Sequence, residues 1–381
     1  MKTKTLTRAY LVMNILEEPF FFGPVLLIAL AKLAHMTGEQ IFLSEAFATG
    51  LIIILDAPSG VLADMMGRKR CVILGKIIFL ASVCCIALMN SPALGYIANI
   101  LWAISISLRS GAESALLYDE LAKRKALDTY PALMKKCYSY HFILAAGATL
   151  LSGFAAEINL RLPLLLSIPG VLISTIFIFF FPKEDIVIRT HTWKKYREHT
   201  LEALHELWRN TYLRKLLVWL GLLGVVGKIY FFTYNPYLEL VHMPYSSVGI
   251  IFFAINITSF IASHYAFVLH KRMDKVGVWI GFIFQGATML VQAYVARSFC
   301  GWLFTLQGFT RGYISTISEP ILNKEILAEK RATMLSFQSS FSNFLSATAF
   351  VIASPLSNNP LMLMAILGTF SLLLGFFSRK L

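Results

Sequence analysis

The sequence predicts an all-α membrane protein, with twelve transmembrane helices in two pseudo-symmetric six-helix bundles. Three observations carry this. Of 381 residues, 57% are hydrophobic and 14% charged, whereas a soluble domain has about 25% charged and about 45–50% apolar residues. The apolar residues gather in runs near the ~20 residues needed to cross ~30 Å of hydrocarbon, and mean hydropathy is +0.67. Lysine and arginine crowd into alternate connections between the runs.

In chain order the runs place helices at 10–33, 41–63, 72–89, 94–118, 137–157, 162–181, 213–236, 246–269, 276–296, 300–322, 333–354 and 360–378. The first run is long and lacks a small-residue cleavage pattern, so it reads as a retained helix. Connections on one side carry Arg68, Lys69 and Arg70, then Lys123, Arg124 and Lys125, then Lys271, Arg272 and Lys275, then Lys324, Lys330 and Arg331. Lys2, Lys4, Arg8, Arg379 and Lys380 put both termini on that side. Opposite connections hold Lys32, Arg161 and Arg297. The positive-inside rule then makes both termini cytoplasmic, and a bacterial inner membrane is the expected location.

The domain plan is a first bundle at 1–181, a cytoplasmic linker at 182–212 and a second bundle at 213–381. Trp193, Tyr196, Leu204, Leu207 and Trp208 recur at roughly helical spacing in the linker, which reads as an amphipathic helix on the membrane surface or as a solvated helix. Ala132-Leu133-Met134 with Ser139 recurs as Ala332-Thr333-Met334 with Ser339, as expected of a duplicated unit. The net charge of +13 follows membrane sidedness, so nucleic acid is not an expected partner. Cys71, Cys84, Cys85, Cys137 and Cys300 form no CxxC pair and suggest neither a disulfide framework nor a metal site. No P-loop pattern, cofactor motif or nucleophile–base constellation is present, so an enzyme is not expected.

One charged stretch is pinched between the second and third runs: Asp56-Ala-Pro-Ser-Gly60-Val-Leu-Ala-Asp64-Met-Met-Gly67-Arg68-Lys69-Arg70. Gly60-x-x-x-Asp64-x-x-Gly67-Arg68-Lys69 resembles the loop 2–3 signature of the major facilitator superfamily of secondary transporters, and the segment plan extends the resemblance over the chain. The resemblance implies a conformational latch. Asp64 would face the start of helix 11, where a helix dipole favours a carboxylate. Arg68 would reach an acid at the end of helix 4, with Asp119 the candidate. Asp56 falls in the same region.

Charges inside hydrocarbon cost about 2.5–3.5 kcal/mol on insertion scales, so each needs a reason. Glu17 and Glu18 lie in helix 1, Lys76 in helix 3, Arg109 and Glu113 in helix 4, Lys228 in helix 7, and Arg311 and Glu319 in helix 10. The resemblance implies that helices 1, 4, 7 and 10 line a central cavity. Substrate and proton would then meet Glu17, Glu18, Arg109, Glu113, Lys228 and Arg311. Arg109 and Glu113 are four apart, which on one helix lets them pair; Glu17 or Glu18 is the other candidate partner of Arg109. Glu17 and Glu113 are the first choices as proton carriers, since desolvation favours a neutral carboxyl. A fixed salt bridge holding the bundle closed is the plainer reading.

The leading expectation is alternating-access, proton-coupled export of a small organic molecule, drug-like or siderophore-like, with an anionic group for Arg109 or Arg311 as one option. Import of an organic anion or metal chelate is the alternative, and a non-transporting receptor or scaffold is a third. A Gly-Pro dipeptide common on helix 5 of proton-driven drug antiporters is missing; that helix has Gly147 and Gly153 and no proline. The expected partners are substrate, protons and lipid, and the expected state is monomeric.

Overall fold

The computed structural model describes residues 3–18, 20–110, 112–182, 210–273, 277–325 and 331–379. The amphipathic segment expected at 182–212 falls, apart from its ends, outside the described residues. The described elements are helical throughout, and the chain is an all-α, multi-pass membrane protein. Nine helices among the described residues are long and apolar enough to cross a membrane. The expected spans at 10–33, 300–322 and 333–354 are not among these nine.

The chain divides into two compact units, Met1–Met36 with Phe47–His191, and Thr37–Ala46 with Thr192–Leu381. The first unit holds α1 (Thr3–Ile15), α2 (Leu26–Lys32), most of α3 (Gly38–Met66), α4 (Arg68–Leu88), α5 (Pro92–Arg109), α6 (Ala112–Lys123), α7 (Tyr130–Ile158) and α8 (Leu162–Phe177). The second holds the opening turns of α3 and then α9 (Thr211–Leu240), α10 (Tyr245–Met273), α11 (Val278–Val295), α12 (Gln307–Glu325), α13 (Arg331–Ala353) and α14 (Pro360–Ser378).

In the first unit α4 packs on α5 and α8, and α1 on α7 and α8. Small buried residues of α5 (Gly95, Ala98, Ala103, Ser105) allow close approach, and Ser82 Oγ donates to the Ala98 carbonyl at 2.7 Å. Small residues and interhelical hydrogen bonds supply helix association in lipid, where apolar contact alone gains little. The turn from α3 to α4 is made by Gly67 at φ 91°, a conformation that other residues adopt only under strain.

Two expected spans are not continuous. The first breaks at residues 16–22, between α1 and the 3-10 turn Gly23–Val25 that leads into α2. Pro19 has no amide proton to give and disfavours helical geometry at Glu18. The freed backbone groups find partners on neighbouring helices: Phe22 N–H donates to Ser167 Oγ at 3.2 Å, and Ser152 Oγ donates to the Phe21 carbonyl. Such satisfaction is what permits irregular backbone at membrane depth. The fourth span breaks after Arg109: Ser110 leaves the helix at φ −53°, ψ 120°, and α6 starts at Ala112. Arg109 and Glu113 are therefore not neighbours on one continuous helix face.

One local arrangement occurs in both units. His35 after α2 and His242 after α9 both take φ 55°, and each is followed by methionine. Met36 N–H returns to the Leu30 carbonyl at 3.1 Å and Met243 N–H to the Leu238 carbonyl at 2.9 Å. Each sulfur then fills the space over a glycine: a Cβ on Gly95 would lie 2.5 Å from Met36 Sδ, and one on Gly301 2.3 Å from Met243 Sδ. In the second unit α11 packs on α14 and α10 on α12. The α10–α12 crossing is close at Gly312, where an added Cβ would lie 2.1 Å from the Ser259 carbonyl oxygen.

Gly312→Ala forces backbone apart and is expected to cost about 1–3 kcal/mol, the range for overpacking. Gly147→Ala, with nothing within 4 Å of the added carbon, is the matched control. Thermal unfolding in detergent should show a lowered midpoint for the first and an unchanged or raised one for the second.

Candidate functional site

The two breaks put charged residues where backbone and side chains converge. Glu17 sits in the first break, Arg109 is the last residue of α5, and Glu113 lies in the first turn of α6. Lys76, from the middle of α4, completes a four-membered network. Glu17 Oε1 pairs with Arg109 Nη1, and Glu17 Oε2 lies 3.3 Å from Lys76 Nζ. Lys76 Nζ lies 3.6 Å from Glu113 Oε1, and that oxygen is buried without a hydrogen bond among the described residues. Lys76 also donates to Ser174 Oγ at 3.2 Å, whose hydroxyl donates on to the Met13 carbonyl at 2.6 Å.

Burial grades the network. The Lys76 side chain is 2% exposed, Glu113 12% and Glu17 23%, so Glu17 is the member water reaches most easily. Arg109 donates from Nε to Ser105 Oγ at 3.2 Å, and its guanidinium lies 4.9 Å from the Phe79 ring centroid, within cation–π range. Its stem passes where Gly75 has no side chain: a Cβ there would lie 2.5 Å from Arg109 Cγ. Met13, Val72 and Leu117, each four residues along the chain from Glu17, Lys76 and Glu113 respectively, belong to one apolar cluster that also holds Leu116 and Cys137. Two acids and two cations make the network neutral, which is how such groups persist at low dielectric.

The remaining expected site residues fall elsewhere. Glu18 is exposed beside His141 on α7, with Oε2 2.8 Å from Nε2. Lys228 on α9 pairs at 2.9 Å with Glu45 on α3, within the second unit. Arg311 is exposed on α12 and belongs to no ion pair among the described residues. At the loop, Arg68 pairs with Asp119 of α6. Lys69 Nζ donates to the Phe179 carbonyl at 3.4 Å and to that of Phe181, a position that suits a cation at a helix C-terminus. Asp56 lies inside α3 with Oδ1 buried and without a hydrogen bond among the described residues. Gly60 lies within α3; the Asp64 side chain, and with it the expected contact at helix 11, falls outside what is described.

Lys76 and Glu45 are what sequence reasoning missed. Lys76 was visible as a lone cation in an apolar run, and a cation there demands an acid. Glu45 gave a weaker signal, close to a helix start where carboxylates are ordinary.

The family model described as Major Facilitator Superfamily matches residues 19–350. The chain is 27% identical over 173 residues to "Multidrug resistance protein 2" of Bacillus subtilis (strain 168), a stretch covering 45% of this chain and 42% of that protein. Among solved structures, the nucleoside transporter NupG is similar at TM-score 0.74 and 13% identity, covering 98% of each chain. A D-xylose-proton symporter is similar at TM-score 0.69 and 12% identity, over 99% of this chain and 97% of that one. At these identities the structural likeness speaks for the fold.

Lys76→Met strands Glu113, while Glu17 keeps Arg109, and is expected to lower stability by about 3–5 kcal/mol, as removal of one partner of a buried pair does. Adding Glu113→Gln to the same chain should recover part of the loss. Unfolding midpoints of the single and double variants in detergent measure the coupling; simple additivity would mean the groups do not act as one network.

Proposed function

Because the chain belongs to the Major Facilitator Superfamily, and so is a transporter rather than an enzyme, we propose that the Glu17–Lys76–Arg109–Glu113 network carries the proton that drives export of a small organic molecule by alternating access. The observation that carries this reading is one carboxylate, Glu17, engaging both cations from a broken helix. Discontinuous helices at mid-membrane are the usual setting of coupling sites in secondary transporters.

Glu17 takes the proton, being the more exposed acid. Lys76 then stays with Glu113, and Arg109 loses its carboxylate partner. In export, a neutral or cationic drug-like or siderophore-like solute engages Glu17 only when the proton has left, so the two alternate. The partial likeness to a multidrug resistance protein supports the outward direction. The sidedness of Lys and Arg supports cytoplasmic termini, and a bacterial inner membrane as the location. The proposed working unit is a monomer, with bundles at 1–181 and 213–381 joined by 182–212. The Arg68–Asp119 pair, beside the turn at Gly67, acts as a latch that parts when the cytoplasmic side opens.

A second reading has its own observation. Protonating Glu17 releases Arg109 and loosens Lys76 together, which creates a place for a substrate carboxylate. An organic anion would then travel with the proton, as import.

The test uses purified protein in liposomes, an imposed pH gradient and a panel of solutes. Export predicts proton movement opposite to the solute; import of an anion predicts movement in the same direction. Glu17→Gln is expected to lose gradient-driven transport while keeping solute exchange. Gradient-driven flux at wild-type rate in both Glu17→Gln and Glu113→Gln would refute the proton assignment.

A further inference from the structure

The second unit has an ion pair of its own, and its surroundings differ from those of the first. Glu45 Oε1 lies 2.9 Å from Lys228 Nζ. The ammonium also lies 5.3 Å from the Phe350 ring centroid. Phe350 is part of a mutually packed trio: its centroid is 5.3 Å from that of Phe42 and 4.8 Å from that of Phe232, and Phe42 and Phe232 are 6.0 Å apart, all edge to face. Phe42 precedes Glu45 by three residues on α3, and Phe232 follows Lys228 by four on α9. The rings therefore cover the ion pair from one side, one helical turn away.

A carboxylate and a ring face are both attractive to an ammonium ion of any origin. The two partners are not equally fixed. The Glu45 side chain is 9% exposed and that of Lys228 33%. Lysine is a compact charge on a flexible four-carbon stem that can carry its head to water; Glu45 has no such route. The carboxylate and the rings form the permanent part, and the lysine is the replaceable part.

We propose that Glu45 with Phe42, Phe232 and Phe350 is a binding site for an organic ammonium ion, and that Lys228 occupies it as a tethered stand-in. Lys228 is then the ligand's competitor rather than its holder. A cationic solute enters as the lysine head withdraws, and the lysine refills the site when the solute leaves, so the buried carboxylate is never without a cation. The site stands independently of the proton network in the first unit.

The stand-in has an unusual consequence: removing the charged partner of Glu45 should strengthen binding. A ligand that binds only the fraction of molecules with the site vacant has its affinity reduced by that fraction. With choline as probe, titration calorimetry on full-length detergent-purified protein should show Lys228→Met binding at least about tenfold tighter than the parent, if the lysine fills the site nine times in ten. Lys228→Arg keeps a tethered cation and should match the parent. The uncharged alcohol with carbon in place of the choline nitrogen should gain nothing, and Glu45→Gln added to Lys228→Met should erase the gain. Lys228→Gln, whose amide still hydrogen-bonds Glu45, carries the same comparison if the methionine variant aggregates. Choline binding no tighter without the lysine, or an equal gain for the uncharged alcohol, would overturn the proposal. Because the readout is equilibrium binding without a pH gradient, it succeeds or fails apart from the proton assignment of Glu17.

Discussion

Four ionisable groups gathered at two helix breaks, Lys76 the most deeply buried of them, are the constraint around which the first unit is built. Each would cost several kcal/mol if stranded, and mutual attraction offsets that cost only with good geometry and further hydrogen bonds. Much of the local structure supplies that geometry. The break at residues 16–22 turns Glu17 toward two cations at once. Ser174 and Ser105 give Lys76 and Arg109 their additional contacts. Gly75 leaves room for the arginine stem, and the Phe79 ring lies against its guanidinium. An uninterrupted first helix would gain backbone hydrogen bonds and lose this convergence.

The parts of the fold legible in the sequence are those set by solvent. Apolar runs of membrane length and cations crowded on one side mark α3, α4, α9 and α14 with little ambiguity. The loop signature also led from Arg68 to Asp119, which the structure pairs. What escaped is set by contact between distant segments. Lys76 meets Glu17 across 59 residues of chain, and Glu45 meets Lys228 from another helix altogether; no periodicity reports either. The helix breaks lie between these cases. Pro19, then Gly23-Pro24, in one apolar run were a local signal against a continuous helix, and Ser110-Gly111 a weaker one. Arg109 and Glu113 looked like neighbours because spacing by four implies one face only while the helix lasts.

The two units repeat their framework and diverge in their chemistry. The left-handed histidine and the methionine seated over a glycine recur at matching places, as expected of a duplicated six-helix unit. The charged groups do not recur. One unit carries two acids and two cations joined through a broken helix; the other carries one acid and one lysine beside three phenyl rings. The matching positions are ones that pack, and the differing ones are charged, as is compatible with one architecture hosting different sites.

The neutrality of the four-membered network bears on how the protein responds to membrane voltage. A single charge crossing the full field exchanges about 2.3 kcal/mol per 100 mV, but a cluster whose charges cancel does no electrical work when it changes sides. With two acids facing two cations, the four groups together place no net charge in the field. Under the proposed proton assignment, voltage would act on the charge that a bound proton or solute adds to this balanced set, and not on the four groups taken together.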